Sequence, residues 1–255
     1  MVTPPGQADR TPAISAHRGG SESASPGSYA AYRGALTSGA DYLEFDVRAT
    51  ADAELVAYHD ARLRSGRPVA ATSYAELCRS AGYEVPTTSG ILQLLGGQPR
   101  APRASGHIAG AHIDLKDAAA GPPVIAQALA VLEPTRIIVT SRDPATVRAI
   151  TNRHPEIGAG LAIGGDAVQS VRYAVRWLRP ARWADAVATL GADWAAVQQR
   201  LARTTVLTEC RSRGLRTMVW TVSRDASLRR WLASAQVDVI VTDRPVRAAA
   251  LRPGR

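Results

Sequence analysis

With 255 residues, the chain has the length of one barrel-sized domain rather than two small ones. Its 45% hydrophobic and 21% charged residues predict a globular protein with a sizeable core. The formal net charge is +9, but the arginines are scattered without a run of five or six, so we do not expect a nucleic-acid partner. A basic surface would still attract small anionic molecules.

The first residues of the chain do not resemble a secretory signal. Residues 1–12 are polar and proline-rich and lack the apolar stretch of a secretory signal. No window of eighteen apolar residues occurs, so we predict no transmembrane segment and expect a cytoplasmic protein. We expect a flexible segment over 1–12, one catalytic domain over 13–250 and a tail over 251–255; the oligomeric state stays open.

Strand and helix signals alternate along the chain. The predicted strands are 13–16, 42–48, 55–59, 111–115, 136–140, 158–163, 193–197, 216–222 and 237–242. The predicted helices are 29–37, with Ser28 as its N-cap, 74–80, 88–95, 122–132, 144–153, 166–178, 204–213 and 226–234.

This alternation predicts a parallel sheet covered by helices. About eight strand–helix units in one domain favour a closed (β/α)8 barrel, the TIM barrel, over an open sheet. An open, doubly wound sheet is the alternative. It is weakened because no Gly-x-Gly-x-x-Gly pattern follows the first strand.

Two carboxylates share one face of the second strand. Glu44 and Asp46 are two residues apart, so both side chains point to the same side, which in a barrel is the interior. Two carboxylates facing one another there are costly unless a positive charge lies between them. A Mg²⁺ or Ca²⁺ ion would satisfy that requirement. The alternative is that one carboxylate faces solvent or that both pair with arginine.

A second strand repeats this pattern. Asp114 and Lys116 share a face with His112, and Lys116 is the only lysine of the chain. A single lysine at a strand end suggests a place for a compact point charge, beside a phosphate or a metal-bound oxygen, that the planar fork of arginine would not fit. The alternative is chance. His112 lies deeper in the strand, where we expect it to pack or to support its neighbours.

Two histidines end strand-like runs on either side of the first carboxylate pair. His17 and His59 could move protons near neutral pH.

Trp220, near the end of a late strand, could belong to the core or form the wall of a pocket. Asp243, after the last strand, could cap the final helix or contact a substrate.

Short motifs in this order resemble the glycerophosphodiester phosphodiesterase family, and they run from residue 13 to about 247. The motifs are Ala16-His17-Arg18-Gly19, Gly39-Ala40-Asp41-Tyr42-Leu43-Glu44-Phe45-Asp46-Val47, His59-Asp60, Asp114-Leu115-Lys116, Val219-Trp220-Thr221-Val222 and Thr242-Asp243-Arg244-Pro245.

The resemblance implies a (β/α)8 barrel with little or no inserted subdomain. It implies metal-dependent hydrolysis of a glycerophosphodiester-like small molecule to an alcohol and a phosphomonoester of the glycerol 3-phosphate type. It also implies the site residues: Glu44, Asp46 and Asp114 for one divalent cation, Mg²⁺ or Ca²⁺; His17 and His59 as general base and general acid; Arg18 and Lys116 for the phosphoryl oxygens; and Trp220 for the pocket.

The chain departs from the family pattern at several places, among them Ser223, where the family often has Asn, and Ala61, where it has Pro. The family usually carries Pro-Glu-Asn-Thr before its first helix, where residues 25–28 read Ser-Pro-Gly-Ser, without the acid. Asp114 replaces a glutamate that is frequent in the family. A phospholipase D or sphingomyelinase D-like lyase that forms a cyclic phosphate, and a non-catalytic barrel that binds an anionic ligand, therefore remain alternatives. The head group and the attacking nucleophile stay open.

Overall fold

The computed structural model describes residues 11–97, 110–165 and 180–253. The predicted helix 166–178 lies outside the described residues. So does the predicted flexible segment 1–12, apart from its last two residues.

Nine strands are described, and most of them are predominantly apolar. They are β1 Ala13–Ala16, β2 Tyr42–Ala49, β3 Leu55–Ala57, β4 Gly110–Leu115, β5 Ile137–Ser141, β6 Gly158–Ile163, β7 Trp194–Gln198, β8 Arg216–Trp220 and β9 Val239–Thr242. All nine coincide with predicted strands to within a few residues at each end. Most of their residues are buried on both faces, as expected for parallel strands covered by helices.

Eight of these strands close a parallel barrel, which confirms the predicted fold class. The order around the barrel is β1-β2-β4-β5-β6-β7-β8-β9, and β9 pairs again with β1. Strand β3 is not a barrel strand, because it pairs antiparallel with the end of β2. The helices fill the connections between the barrel strands.

The described α-helices are α1 Tyr29–Ala35, α2 Tyr74–Ala81, α3 Thr88–Gly96, α4 Gly121–Leu129, α5 Pro144–Arg153, α6 Pro180–Thr189, α7 Val206–Ser212, α8 Asp225–Leu232 and α9 Pro245–Ala250. Ser28 is the N-cap of α1, as predicted, and its Oγ accepts a hydrogen bond from the Ala31 N–H. Helix α6 has no counterpart among the predicted elements. None of the described helices combines the length and the apolar character that a membrane crossing requires.

The barrel interior is filled in layers. Its lower layer is apolar and packs below the site; it consists of Ala13, Tyr42, Ile138, Trp194, Ala196, Met218 and Val239. The residues two further along several of these strands, such as Ser15, Glu44 and Thr140, are buried and polar. The interior therefore changes from apolar to polar towards the carboxyl ends of the strands.

A short excursion, residues 58–86, separates β3 from α3 and contains α2. It has a small hydrophobic cluster, shared with β3, of Val56, Leu63, Val69, Leu77 and Val85. This excursion is compact, in agreement with the prediction of little or no inserted subdomain. Its position beside the end of β2 brings it next to the mouth of the barrel.

Candidate active site

A pocket of about 110 Å³ opens at the carboxyl ends of the barrel strands, and we call it the mouth pocket. The structure brings all eight of the predicted site residues to its lining: His17, Arg18, Glu44, Asp46, His59, Asp114, Lys116 and Trp220. Parallel strands deliver these side chains to one end of the barrel although up to 203 residues separate them in the chain.

The turn after β1 is shaped by glycine. Arg18 has φ 49° and Gly19 has φ 79°, both in the left-handed region. A Cβ on Gly19 would lie 2.7 Å from backbone atoms of Ala31 and Tyr32, so only glycine lets this turn pack against α1. The tight turn points the Arg18 N–H at Glu44 Oε2, at 2.8 Å.

Three carboxylates converge at the floor of the mouth pocket. One oxygen from each of Glu44, Asp46 and Asp114 lies within 4.8 Å of the others. The side chains of Glu44 and Asp46 are buried, as their shared strand face predicts. Burial raises the pKa of Glu44 to about 7; His17 opposes this shift, and the neighbouring carboxylates add to it.

Two cations compensate part of this negative charge. Lys116 Nζ lies 2.8 Å from Asp46 Oδ1 and also contacts Asp114 Oδ2. Burial alone would raise the pKa of Asp46, but Lys116 and Arg18 outweigh it and lower the pKa to about 2. Burial would likewise lower the pKa of Lys116, but Asp114 and Asp46 raise it above its usual range. Asp46 is therefore ionised and Lys116 is charged at neutral pH.

The carboxylates have room for a further cation. Asp46 Oδ2 is buried and accepts no hydrogen bond; Arg18 Nε lies 2.8 Å away, but the two atoms are not aligned for one. An orphaned, buried carboxylate oxygen is costly. Three carboxylates against two cations leave one negative charge when all are ionised. Oxygen ligands of this kind suit a hard divalent ion, so the residues present fit such an ion.

His17 is held by a residue from the opposite end of the chain. Its Nδ1–H donates to Asp243 Oδ1 at 2.5 Å, and the Ser223 hydroxyl donates to Asp243 Oδ2 at 2.8 Å. Because an ionised carboxylate only accepts, the proton belongs on Nδ1, and Nε2 is left as the basic atom. Burial alone would lower the pKa of His17, but Glu44 and Asp243 raise it overall.

Of the two roles considered for Asp243 in the sequence, the structure excludes the cap of the final helix. Helix α9 receives no side-chain cap from its N-cap residue, Arg244. Glu22 caps that helix instead, since its carboxylate accepts from the Val246 and Arg247 N–H groups at 2.8 and 3.1 Å. Glu22 thus does not supply the acid that is missing from residues 25–28, where Ser28 only caps α1.

His59 lies on the outer side of the mouth pocket. Its Nδ1 is 2.7 Å from Asp60 Oδ1, and its side chain is 45% exposed. Burial lowers the pKa of His59 below its usual value, and this outweighs the opposite effect of Asp46 and Asp60. His17 and His59 therefore have pKa values shifted in opposite directions within one pocket.

His112 supports the carboxylates from below, as predicted. It lies between the Ser15 and Thr140 hydroxyls at 3.1 Å each, and Thr140 donates to Asp114 Oδ1 at 3.0 Å. Burial lowers the pKa of His112 to about 4, so the ring is neutral at physiological pH. Sequence patterns did not single out Thr140, although it is a polar residue near the carboxyl end of the apolar strand β5 and pairs with Asp114 in the sheet.

Trp220 forms part of the pocket wall. Its Nε1–H donates to the Ala196 carbonyl at 2.9 Å, which fixes the ring, and the Arg142 guanidinium lies 5.3 Å from the ring centre. The tryptophan is only partly buried, so of the two roles considered the structure favours the pocket wall. Arg142 was not predicted. It follows β5, where a polar side chain after an apolar strand is the signal that could have identified it.

A barrel that collects carboxylates, histidines and cations at the ends of its strands is an enzyme scaffold of the TIM-barrel type. A model of the glycerophosphoryl diester phosphodiesterase family matches residues 17–93 and 111–247. The chain belongs to this family, and it is a phosphoric diester hydrolase. A search of curated protein sequences gave no significant match.

Solved structures share the fold along nearly the whole chain. A glycerophosphodiester phosphodiesterase from Parabacteroides distasonis is 22% identical with a TM-score of 0.70, covering 94% of this chain and 96% of that one. The enzyme from Thermotoga maritima is 18% identical (TM-score 0.73, 95% and 99%). An Oleispira antarctica phosphodiesterase in complex with its product sn-glycerol-3-phosphate is also 18% identical (TM-score 0.67, 94% and 96%).

Proposed function

We propose that this protein hydrolyses a glycerophosphodiester to an alcohol and a phosphomonoester of the glycerol 3-phosphate type, with the help of one divalent cation. The observation that carries the proposal is the convergence of three carboxylate oxygens within 4.8 Å, in a pocket that two cations and two histidines also line. The product complex of the Oleispira antarctica phosphodiesterase supports the choice of substrate class.

Glu44, Asp46 and Asp114 would hold the ion, and Mg²⁺ and Ca²⁺ both suit their oxygens. The bound ion would neutralise charge on a phosphoryl oxygen. With a divalent ion and a singly charged diester, the formal charges of the three carboxylates, Lys116 and Arg18 would sum to zero. The formal charge of the site is therefore zero when both the ion and a phosphodiester are bound.

Lys116 and Arg18 would bind the phosphoryl oxygens. Both already lie at the carboxylates, so their positions are fixed before the substrate arrives. Positive groups that are fixed in advance stabilise the charge that develops on the phosphoryl oxygens without further reorganisation. Trp220 would flank the glycerol portion in the small mouth pocket.

The two histidines would transfer the protons. His17 Nε2 would accept the proton of the attacking oxygen, since Asp243 holds the ring and raises its basicity. His59 would donate a proton to the leaving alkoxide, and its lowered pKa makes its imidazolium a readier donor. Each transfer contributes about 10²–10⁴-fold to the rate of such reactions.

The test is turnover of sn-glycero-3-phosphocholine and sn-glycero-3-phosphoethanolamine, followed by phosphorus NMR with added Mg²⁺ or Ca²⁺. We expect a phosphomonoester product, and loss of activity with EDTA that the metal restores. His17→Ala and His59→Ala should each lose about 10²–10⁴-fold in kcat/KM. His154→Ala is the matched control, because this histidine contacts Glu156 outside both the mouth pocket and the strand ends that form it.

Two results would overturn the proposal. One is turnover that persists without a divalent metal, and the other is full activity of Glu44→Ala. A cyclic phosphate as the final product would instead identify the lyase alternative, and metal binding without turnover of any diester would identify a non-catalytic barrel.

A further inference from the structure

A second and larger cavity, of about 650 Å³, adjoins the mouth pocket, and we call it the outer cleft. It lies between the turn after β1 and the excursion 58–86. The outer cleft and the mouth pocket share three lining residues: Arg18, Asp46 and His59. A phosphodiester bound at these shared residues would therefore place one ester arm in each cavity.

The two cavities differ greatly in size. The mouth pocket, at about 110 Å³, accommodates a group no larger than a small polyol. The outer cleft is about six times as large and opens to solvent, so it admits a larger and more variable group. His59, the proposed donor to the leaving alkoxide, stands at the boundary between them. On the proposed function, the leaving alcohol therefore lies in the outer cleft.

The outer cleft carries two arginines without a carboxylate partner. Arg62 and Arg64 line it, and neither forms an ion pair with any described residue. Both carboxylates of the lining are engaged: Asp46 by Lys116 and Arg18, and Asp60 by His59. The cleft therefore has an excess of positive charge next to the leaving-group position.

The backbone of the excursion holds these arginines in place. Leu63 lies between them and is only 5% exposed, anchored in the small hydrophobic cluster. Arg62 and Arg64, on either side of Leu63, are both exposed and line the cleft. Hydrogen bonds between Leu63 and Arg67, and from Arg62 to the Gly66 carbonyl at 2.8 Å, close the turn.

The remaining walls are compatible with an anionic occupant. Tyr58 and Tyr83 offer hydroxyl groups and ring surface, while Pro26 and Gly27 on the opposite side add no charge. Burial raises the pKa of Tyr58, Asp60 adds to this shift and Arg64 opposes it. A cationic head group would meet two uncompensated arginines here, and an anionic one would meet complementary charge.

We propose that the outer cleft is the leaving-group site and that Arg62 and Arg64 select diesters whose alcohol carries an anionic group, such as a carboxylate or a second phosphate. This proposal rests on the proposed function, because it requires a diester at the shared residues. It goes further by assigning the substrate class to two named side chains.

Three diesters of sn-glycerol 3-phosphate test the proposal. Their alcohols are hydroxypropionate (anionic), butanol (neutral) and choline (cationic), so charge is the main difference. We expect kcat/KM to fall in that order. Exposed ion pairs are individually weak, so the ratio of the anionic to the neutral substrate should drop roughly 2- to 5-fold in Arg64→Gln. Arg64→Glu should move the preference towards choline, and added salt should weaken it.

Arg79→Gln is the matched control, because Arg79 is an exposed arginine of α2 outside the lining of the outer cleft. It removes the same charge and should leave the substrate order unchanged. An unchanged ratio in Arg64→Gln, or a preference for choline in the wild-type protein, would overturn the proposal.

A binding measurement separates this proposal from the proposed function. Phosphonate analogues of the three diesters cannot be hydrolysed, and calorimetry gives their affinities. If no diester is turned over but the anionic analogue binds best and loses that advantage in Arg64→Gln, the proposed function fails and the assignment of the cleft stands. Equal affinities for all three analogues would refute the assignment.

Discussion

At the scale of single residues, Lys116 shows why one lysine persists in an arginine-rich chain. Its ammonium group lies between the carboxylates of Asp46 and Asp114 and contacts both. The compact ammonium group of lysine fits between two converging carboxylates, whereas the guanidinium group of arginine is larger, planar and rigid. The sequence predicted this side chain from its rarity, and the structure supplies the contacts that explain it.

Asp243 is the residue whose contact with His17 only the structure reveals, and its replacement is the sharpest test at this scale. In Asp243→Asn the charge beside His17 is lost, so the pKa of His17 should fall, because Asp243 is one of the groups that raise it. We expect kcat to drop at least about tenfold. The rise of kcat/KM on the acidic side of its pH profile should move to lower pH.

Asp225→Asn is the control for this prediction, because it makes the same substitution on α8, where the carboxylate pairs with Arg244 and Arg247 outside the mouth pocket. A pH profile of Asp243→Asn that matches the wild-type profile would mean that Asp243 does not act through His17.

At the scale of elements, strand periodicity accounts for most of what could be predicted. Glu44 and Asp46 on β2, and His112 and Asp114 on β4, follow the period-two pattern, and all four point into the barrel. Helices were predicted similarly well where an N-cap residue precedes apolar residues at helical spacing, as Ser28 does at α1. Helix α6 shows the limit: it has ten residues, as many as α5, and buries Ala184 and Val187, yet it was not predicted.

Helix α5 provides a stability test with a definite pH dependence. The Asp143 carboxylate caps the helix, accepting from the Thr146 N–H at 3.0 Å and from the Thr146 hydroxyl at 2.6 Å. Asp143→Ala should cost about 1 kcal/mol in the free energy of unfolding at pH 7. The hydrogen bond from Thr146 holds the pKa of Asp143 below its usual value.

The sign of the pH effect follows from this lowered pKa. A carboxyl with a lowered folded-state pKa stabilises the protein above its unfolded pKa of about 4, and the stabilisation is lost as the pH falls through the folded-state value. Urea unfolding of wild type and Asp143→Ala should therefore converge towards pH 3. Ser28→Ala removes a cap that does not titrate, so its cost should stay constant. A pH-independent cost of Asp143→Ala would contradict the prediction.

At the scale of the whole molecule, the barrel concentrates charge that a divalent ion would relieve. Three carboxylates within 4.8 Å repel one another, and Asp46 Oδ2 lacks a hydrogen bond. A ligand that binds only the folded state stabilises it, by about 2.7 kcal/mol at 100 times Kd. For a chain of this size, each kcal/mol raises the melting temperature by roughly 2–4 °C.

Thermal unfolding after EDTA treatment, with and without added Mg²⁺ or Ca²⁺, measures this effect. We expect the ion to raise the melting temperature of the wild-type protein and to have little effect on Asp46→Asn. Glu156→Gln is the control, because it removes a carboxylate far from the trio and should keep the full increase. An equal increase in wild type and Asp46→Asn would mean that the ion binds elsewhere.

The sequence by itself determined the strands, the closed barrel and eight of the residues that line the mouth pocket, because these depend on periodicity and on short motifs within single strands. Only the tertiary structure decided that Asp243 holds His17 from 226 residues away and that Arg62 and Arg64 line an open cleft beside His59. The physical reason is closure of the barrel. The pairing of β1 with β9, and the folding of the excursion back onto the mouth, bring together side chains whose proximity no local pattern records.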